Sequence, residues 1–513
     1  MDNDQGLKVL AEEVFNEYIN DEMPIRLLHI TEVNRQAREI SLKLVNRDFI
    51  KKHFESLPKK IYESFRGHEN LEDREVSIRA KVKQELKYAI FSHRWLQKEP
   101  THQDMLEKDA PKKMPIEDMP KSEPEDDLKA GWKKLEEFCR TALFDHKCEF
   151  AWSDTCCIDK SIHSVVDESI RSMFRWYRNS HMCIAFLSET ANLAALQESS
   201  QKGKGVDNWF LRGWTLQELL APSQVKFYGE NWKPLIPLTT SNDKLDESFM
   251  KLIHIITHIP LEDLRSFSPG TNRVPEKMLW ASKRRTTRIE DIAYCLIGIF
   301  DVSLITAYGE GNRAFFRLME EILKRYDNWD VFHWSGRCSR YNAALPDAPH
   351  CYPEGYTEKK MLVGRENSEE ERNNKECDVG DCLFTLTNHG LKIVVLKLDI
   401  QLLPGMTRKV TGDSRSRYLT FWTGEKFKIE PNSQVKHIGE ERGNGTEWAL
   451  GVLDYWTKDQ RPFIDSRQKP FTAFLLSRDM HVPRPRWRKE MTEKIIEIRP
   501  SGHEAGFRTE LYL

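Results

Sequence analysis

No stretch of this 513-residue sequence approaches the ~18 consecutive apolar residues of a membrane-spanning helix. The first residues, MDNDQGLKVLAEEVFNEY, are acidic and lack the basic-then-apolar layout of a secretory signal. Charge of one sign is also missing. The net charge is -2 and the pI is near 6.8, so no global field favours nucleic acid or anionic lipid, and neither partner is expected. Ten cysteines are scattered without a paired framework, which fits a reducing compartment. No internal repeat occurs. These absences predict a globular, cytoplasmic protein with no membrane span.

Hydrophobic residues make up 39% of the chain, enough for packed cores, and its length exceeds what one core usually serves. Four stretches have strand character: KYAIFSH from Lys87, CEFAWSD from Cys148, HMCIAFLS from His181 and QVKFYG from Gln224. Their centres are continuous apolar runs, the pattern of strands buried on both faces of a parallel sheet. IRLLHI reads as an earlier short strand. Between the four lie helical patterns. GWKKLEEFCRTAL repeats Trp132, Leu135, Cys139 and Ala142, and a second stripe runs through Val166, Ile170, Met173, Phe174 and Tyr177. Strands alternating with helices predict an α/β domain with right-handed crossovers. The stretch from Lys98 to Asp127, rich in Pro, Lys, Asp and Glu, reads as a solvated loop.

The predicted organisation is an N-terminal extension over 1–86, the α/β domain over 87–240, a helical region over 241–334 and a β-rich domain over 335–513. LDESFMKLIHIITHI, RIEDIAYCLIGIF and RAFFRLMEEILKRY carry the helical pattern. CLFTLTNHGLKIVVLKL, SRYLTFWT, EWALGVLDYW and FTAFLL carry the β-like pieces. The segment from Arg365 to Asp378 is charged and loop-like.

In an open parallel sheet, ligands bind outside the carboxyl ends of the strands. Those ends hold Ser92, His93, Arg94 and Trp95, then Asp154, Thr155, Cys156 and Cys157, then Ser188 and Glu189. Polar loop residues end any strand, but the concurrence of His93, Arg94 and Asp154 points towards a site. Cys156 and Cys157 have the wrong spacing for a zinc knuckle, and no Cys-x-x-Cys or His-x-x-His accompanies them. They read as buried thiols, the alternative being a nucleophile activated by His93. KRRTTR, from Lys283, reads as a solvated basic segment lying on Trp280. Tyr308-Gly309-Glu310-Gly311 lacks the lysine of a phosphate loop and reads as a turn before a helix.

WFLRGWTLQELL, residues 209–220, places one carboxylate, Glu218, in an apolar stretch beside Trp209, Arg212 and Trp214. Read as a helix, it puts Trp214 and Glu218 on one face. Glu218 is then either paired with Arg212 or capping a helix, or it is a functional acid whose pKa the indole raises.

KYAIFSHRW, FAWSDTCCIDK, ESIRSMFRWYRNS and WFLRGWTLQELLAP together resemble the fungal heterokaryon-incompatibility (HET) domain, in order and spacing, over roughly Leu27 to Trp232. The resemblance implies a fold related to the Toll/interleukin-1 receptor (TIR) domain: a parallel sheet flanked by helices, followed here by the helical and β-rich regions. It also implies a role in triggering cell death when genetically different fungal cells fuse. Many TIR domains hydrolyse NAD with a glutamate in a segment like W-C-x-x-E-L. Trp214 to Leu219 matches that spacing, with Thr215 in place of the cysteine.

On that resemblance Glu218 is the catalytic candidate. Ser92, His93, Arg94, Trp95, Asp154, Arg212 and Trp214 are substrate-binding candidates: the arginines for pyrophosphate, Trp95 or Trp214 for stacking, Asp154 for the ribose. NAD is the expected substrate rather than a cofactor, no metal is implied, and an active homo-oligomer is expected. The competing expectation is a non-enzymatic signalling module that self-associates or binds a nucleotide.

Overall fold

The computed structural model describes residues 3–66, 74–109, 125–202, 205–326 and 328–352. In the C-terminal region it describes 378–379, 384–387, 390–402, 408–410, 413–422, 427–430, 434–438, 445–453, 456–458, 461–464, 471–483, 485–500, 504–505 and 507–513. The chain divides into two compact units, Met1–Pro269 and Gly270–Leu513.

In the first unit, helix α1 (Asn3–Glu17) precedes an antiparallel hairpin of β1 (Arg26–Asn34) and β2 (Glu39–Asn46). Helices α2 (Arg47–His53), α3 (Leu57–Phe65) and α4 (Arg74–Glu85) follow. The four predicted strands form as β3 (Tyr88–His93), β4 (Phe150–Trp152), β5 (Met182–Phe186) and β6 (Val225–Tyr228). All four are buried along their whole length, as their continuous apolar runs predict.

The sheet order is β2-β1-β4-β3-β5-β6. The pairs β3–β4, β3–β5 and β5–β6 are parallel, and β1 joins β4 antiparallel. The chain therefore leaves β3 towards β4 on one side and later places β5 on the other. Such a reversal of direction opens a crevice at the carboxyl ends of the strands concerned.

Helices α5 (His102–Asp109), α6 (Glu125–Phe144), α7 (His163–Asn179), α8 (Leu193–Lys202) and α9 (Thr215–Leu220) lie between these strands. The α7 stripe buries Ile170, Met173, Phe174 and Tyr177 as its spacing predicts. Gly131 in α6 is required by close approach, because a Cβ there would lie 2.6 Å from the Lys98 carbonyl oxygen. That approach brings the 98–100 segment against α6. Helices α10 (Glu247–Thr257) and α11 (Leu261–Arg265) complete the unit.

Two expectations change here. The stretch read as a loop from Lys98 to Asp127 contains α5 and the start of α6, while residues 110–124 lie outside the described residues. The Thr101 amide donates to Asp104 (2.8 Å) and the Asp104 amide to Thr101 Oγ1 (3.3 Å), a reciprocal cap that starts α5 despite its polar composition. The single helix read through WFLRGWTLQELL is two pieces. Asp207 accepts the Trp209 amide (2.9 Å) and sets a 3-10 turn over Asn208–Leu211. Arg212 is then extended, and α9 begins only at Thr215.

The second unit opens with α12 (Val274–Ser282), α13 (Asp291–Tyr294), α14 (Ile297–Phe300) and α15 (Arg313–Leu323). RIEDIAYCLIGIF therefore forms two short helices instead of one. Ala293, Tyr294, Cys295, Leu296, Ile297, Ile299 and Phe300 are all buried, so packing on every side rather than one apolar stripe sets the local path. Gly309 and Gly311, both at positive φ, donate their amides to Glu290 in the predicted turn. Arg284 of the basic run is buried and donates to the Trp280 carbonyl.

Beyond these helices, antiparallel strands dominate. Gly390–Leu402 pairs with Thr446–Val452, which pairs with Phe471–Asp479, which in turn pairs with Ile496–Pro500. Their core includes Leu396, Leu450, Leu475 and Ile498. The charged stretch from Arg365 lies outside the described residues up to Asp378.

Candidate functional site

Ser92 and His93 are consecutive on β3, so their side chains leave opposite faces of the sheet. This splits the predicted site into two clusters. On one face the Ser92 hydroxyl donates to Glu218 Oε2 (2.5 Å), which α9 carries, and accepts from Trp209 Nε1 (2.9 Å). All three side chains are buried. The Tyr177 hydroxyl, which donates to the Phe91 carbonyl (2.7 Å), lies beside the same carboxyl group.

Burial pushes the Glu218 pKa up to about 8, and the negative charge of Asp154 adds to the rise. Ser92, Arg212 and Tyr177 oppose it without cancelling it. Glu218 is therefore largely a neutral acid at pH 7, waiting for a positive charge to favour its ionised form.

On the other face the His93 ring stacks on Phe91 (centroids 4.0 Å), which stacks on Phe138 of α6. His93 Nε2 lies 3.3 Å from Asp154 Oδ1, and its buried Nδ1 has no hydrogen-bond partner among the described residues. Lys134 of α6 is paired with Glu99 and donates to the Arg94 carbonyl (3.1 Å). Burial and the Lys134 charge lower the His93 pKa, so the imidazole is neutral. Burial alone would raise the Asp154 pKa, but its hydrogen bond to His93 and the positive charges of Lys160 and Arg212 outweigh this and hold it low.

Asp154 links the clusters at the rim. Its Oδ2 accepts Trp95 Nε1 (3.0 Å). Lys160 Nζ lies 4.0 Å from the Trp95 ring centroid, and the Arg212 guanidinium lies 5.8 Å from it. An exposed indole, two cations and a half-buried acid thus share one edge of the sheet. Arg94 points along the rim to Glu189, which also accepts the Asn208 amide (3.0 Å). Asp207 accepts the Glu189 amide, the Thr190 hydroxyl and the Trp209 amide, which fastens the Trp209 turn to the end of β5.

The structure thus gathers Ser92, His93, Trp95, Asp154, Arg212 and Glu218 around the ends of β3 and β4. Arg94 sits at the rim with its guanidinium committed to Glu189. Trp214 is left aside. It is the half-buried residue preceding α9, and among the described residues no side-chain hydrogen bond or ring contact joins it to Glu218 or Trp95. Trp214 has helical dihedrals as the N-cap of α9, so it stays one turn from Glu218 as the sequence predicts, while the Glu218 carboxyl itself is engaged by Ser92.

Cys156 and Cys157 are buried, and Cys157 together with burial raises the Cys156 thiol well above its ordinary range. The His93 Nε2 that could activate a thiol faces Asp154 instead. Four contributors escaped the sequence reading: Tyr177, Glu99, Lys134 and Lys160. Tyr177 was legible only as part of the α7 stripe. Lys134 could have been found as a charge on the apolar side of the α6 pattern, next to Leu135.

Among the described residues, no helix is long and apolar enough to cross a membrane. No solved structure matches the chain. Residues 88–206 match the family model described as heterokaryon incompatibility protein (HET). That match contains Ser92, His93, Arg94, Trp95 and Asp154 and stops short of Arg212 and Glu218. The chain is 37% identical over 241 residues to the vegetative incompatibility protein HET-E-1 of Podospora anserina. The aligned part is 46% of this chain and 16% of that protein, so the chain spans well under two thirds of its relative. Residues 88–206, which carry the carboxyl ends of β3, β4 and β5, thus match a heterokaryon-incompatibility (HET) domain.

Proposed function

We propose that this chain is a heterokaryon-incompatibility effector that triggers cell death, and that its sheet-edge site hydrolyses NAD at the nicotinamide–ribose bond. The family match and the incompatibility relative support the cellular role. The observation that carries the chemistry is Glu218, a buried acid held by Ser92 at the carboxyl end of a parallel sheet, with a pKa of about 8.

Nicotinamide leaves NAD as a neutral molecule, taking both electrons of the C–N bond, so no general acid is needed. Water adds to the resulting oxocarbenium-like ribosyl centre and loses one proton, giving ADP-ribose and nicotinamide. The cationic nicotinamide ring favours the ionised form of Glu218, and the carboxylate then stabilises positive charge developing on the ribose. Arg212, 5.8 Å from the Trp95 ring, and Arg94, paired with Glu189, are the two arginines available to the pyrophosphate. Trp95, anchored by Asp154, offers an exposed indole at the same rim.

The test is NAD consumption by the purified chain with Glu218→Gln alongside. Activity that disappears in the variant supports the assignment, and undiminished activity overturns it. Steep dependence on protein concentration would point to a site completed in a homo-oligomer. A signalling module without turnover is favoured by one observation, the burial of Glu218 at 6% exposure. Absence of NAD consumption at high protein concentration, with cell death retained by Glu218→Gln, selects that reading.

A further inference from the structure

Away from the rim, β1, α2 and the residue before β4 bring His29, His53 and Glu149 together. One ligand atom from each lies within 4.8 Å of the other two. The sheet register is responsible. His29 faces Phe150 across the β1–β4 pair, and the Ile30 amide donates to the Glu149 carbonyl (2.8 Å), which fixes His29 beside Glu149. Asn46 caps α2 by accepting the Phe49 amide (3.0 Å), and so sets the helix that delivers His53 in its last turn.

We propose that His29, His53 and Glu149 bind one zinc ion. Two imidazoles on a tetrahedral zinc, with Zn–N near 2.0–2.1 Å, place their ring centroids about 5.2 Å apart. The His29 and His53 centroids are 5.4 Å apart with their planes at 64°. This edge-to-face separation is one that a shared metal would keep. His53 Nε2 lies 3.9 Å from Glu149 Oε2, and two ligands of one tetrahedral ion sit roughly 3.3 Å apart, so exposed side chains need to close only a short gap.

The donor set selects the ion. Two nitrogens and one carboxylate suit zinc or a neighbouring transition metal over magnesium or calcium, which take oxygen cages. Phe49, Phe54 and Phe150 pack about the two imidazoles and lower the local dielectric. Lys43, opposite His29 across the hairpin, is the nearby opposing charge, and its ammonium lies over the Phe49 ring, 5.9 Å from the centroid. Three protein ligands leave a fourth position for water. Bound zinc would tie α2 to the junction where the hairpin joins the parallel sheet.

Zinc titration of the full chain by calorimetry, with magnesium as control, tests this, together with cobalt substitution followed by visible absorption. The wild type should bind one equivalent, and the cobalt form should show tetrahedral d–d bands without a thiolate charge-transfer band. His53→Ala and the isosteric Glu149→Gln lie at exposed positions, so both should keep the fold, as circular dichroism would check. Each should lose more than the roughly 10- to 100-fold in affinity that removal of an outer-shell partner costs. Absence of zinc binding by the folded wild type overturns the site. So does binding that survives both variants, binding with a thiolate band, or binding lost in His350→Ala, which belongs to the separate Asp347–His350–Cys351 grouping.

Discussion

Ser92 and Glu218, 126 residues apart in the chain, meet across a 2.5 Å hydrogen bond inside the first unit. The same hydroxyl accepts Trp209 Nε1, so one serine serves both the acid and the turn that precedes its helix. Ser92→Ala should leave a buried indole N–H without its acceptor and lower stability by roughly 1–3 kcal/mol in urea denaturation. It should also raise the Glu218 pKa further, because the serine opposes that rise.

Stability should fall as pH climbs. The Glu218 pKa is raised from 4.5 unfolded to about 8 folded, so its contribution is fully present below the lower value and lost as pH rises through the upper one. Every tenfold gain in proton affinity on folding corresponds to about 1.4 kcal/mol, which makes the effect on the order of a few kcal/mol. Glu218→Gln should therefore gain stability relative to wild type at pH 9 and lose that advantage at pH 5. Denaturation midpoints at the two pH values check the sign.

If the ionised acid is the working form, kcat/KM for NAD should rise with pH through a midpoint near 8 in the free protein. A profile flat across that range removes Glu218 from the chemistry.

Asp154→Ala should move that midpoint the other way from Ser92→Ala, because the Asp154 charge raises the Glu218 pKa. The same change leaves both ring nitrogens of buried His93 without partners, at a cost of roughly 1–3 kcal/mol. Opposite shifts in the two pH profiles would be hard to produce by general loosening of the fold.

Lys226 and Asp243 form a fully buried ion pair at 2.7 Å, and Asp243 also accepts the Phe227 amide of β6. Removing one partner strands a buried charge. Lys226→Met should cost roughly 3–5 kcal/mol, and an apolar replacement of both partners should recover much of it. Urea denaturation of the single and double variants measures the difference.

The strands of the first unit were legible because burial on both faces leaves continuous apolar runs, as in YAIF and CIAF. Helix α7 was legible because its buried side repeats every three to four residues. α5 was hidden, since a polar segment shows no stripe and its start depends on the reciprocal cap of Thr101 and Asp104.

Which residues gather at the strand ends follows from strand identity and parallel topology, so His93, Asp154 and Ser92 could be named from sequence. Their partners could not. Ser92 and His93 face opposite ways because a strand alternates, yet only the packing of α9 on one side and α6 on the other decides what each meets. The sequence by itself determined that WFLRGWTLQELL carries one acid in apolar surroundings. Tertiary structure decided the rest. Asp207 breaks the segment into a 3-10 turn and a short helix, and the packing of that helix beside β3 brings Glu218 to Ser92. Burial there, more than any neighbour in sequence, raises its pKa to about 8.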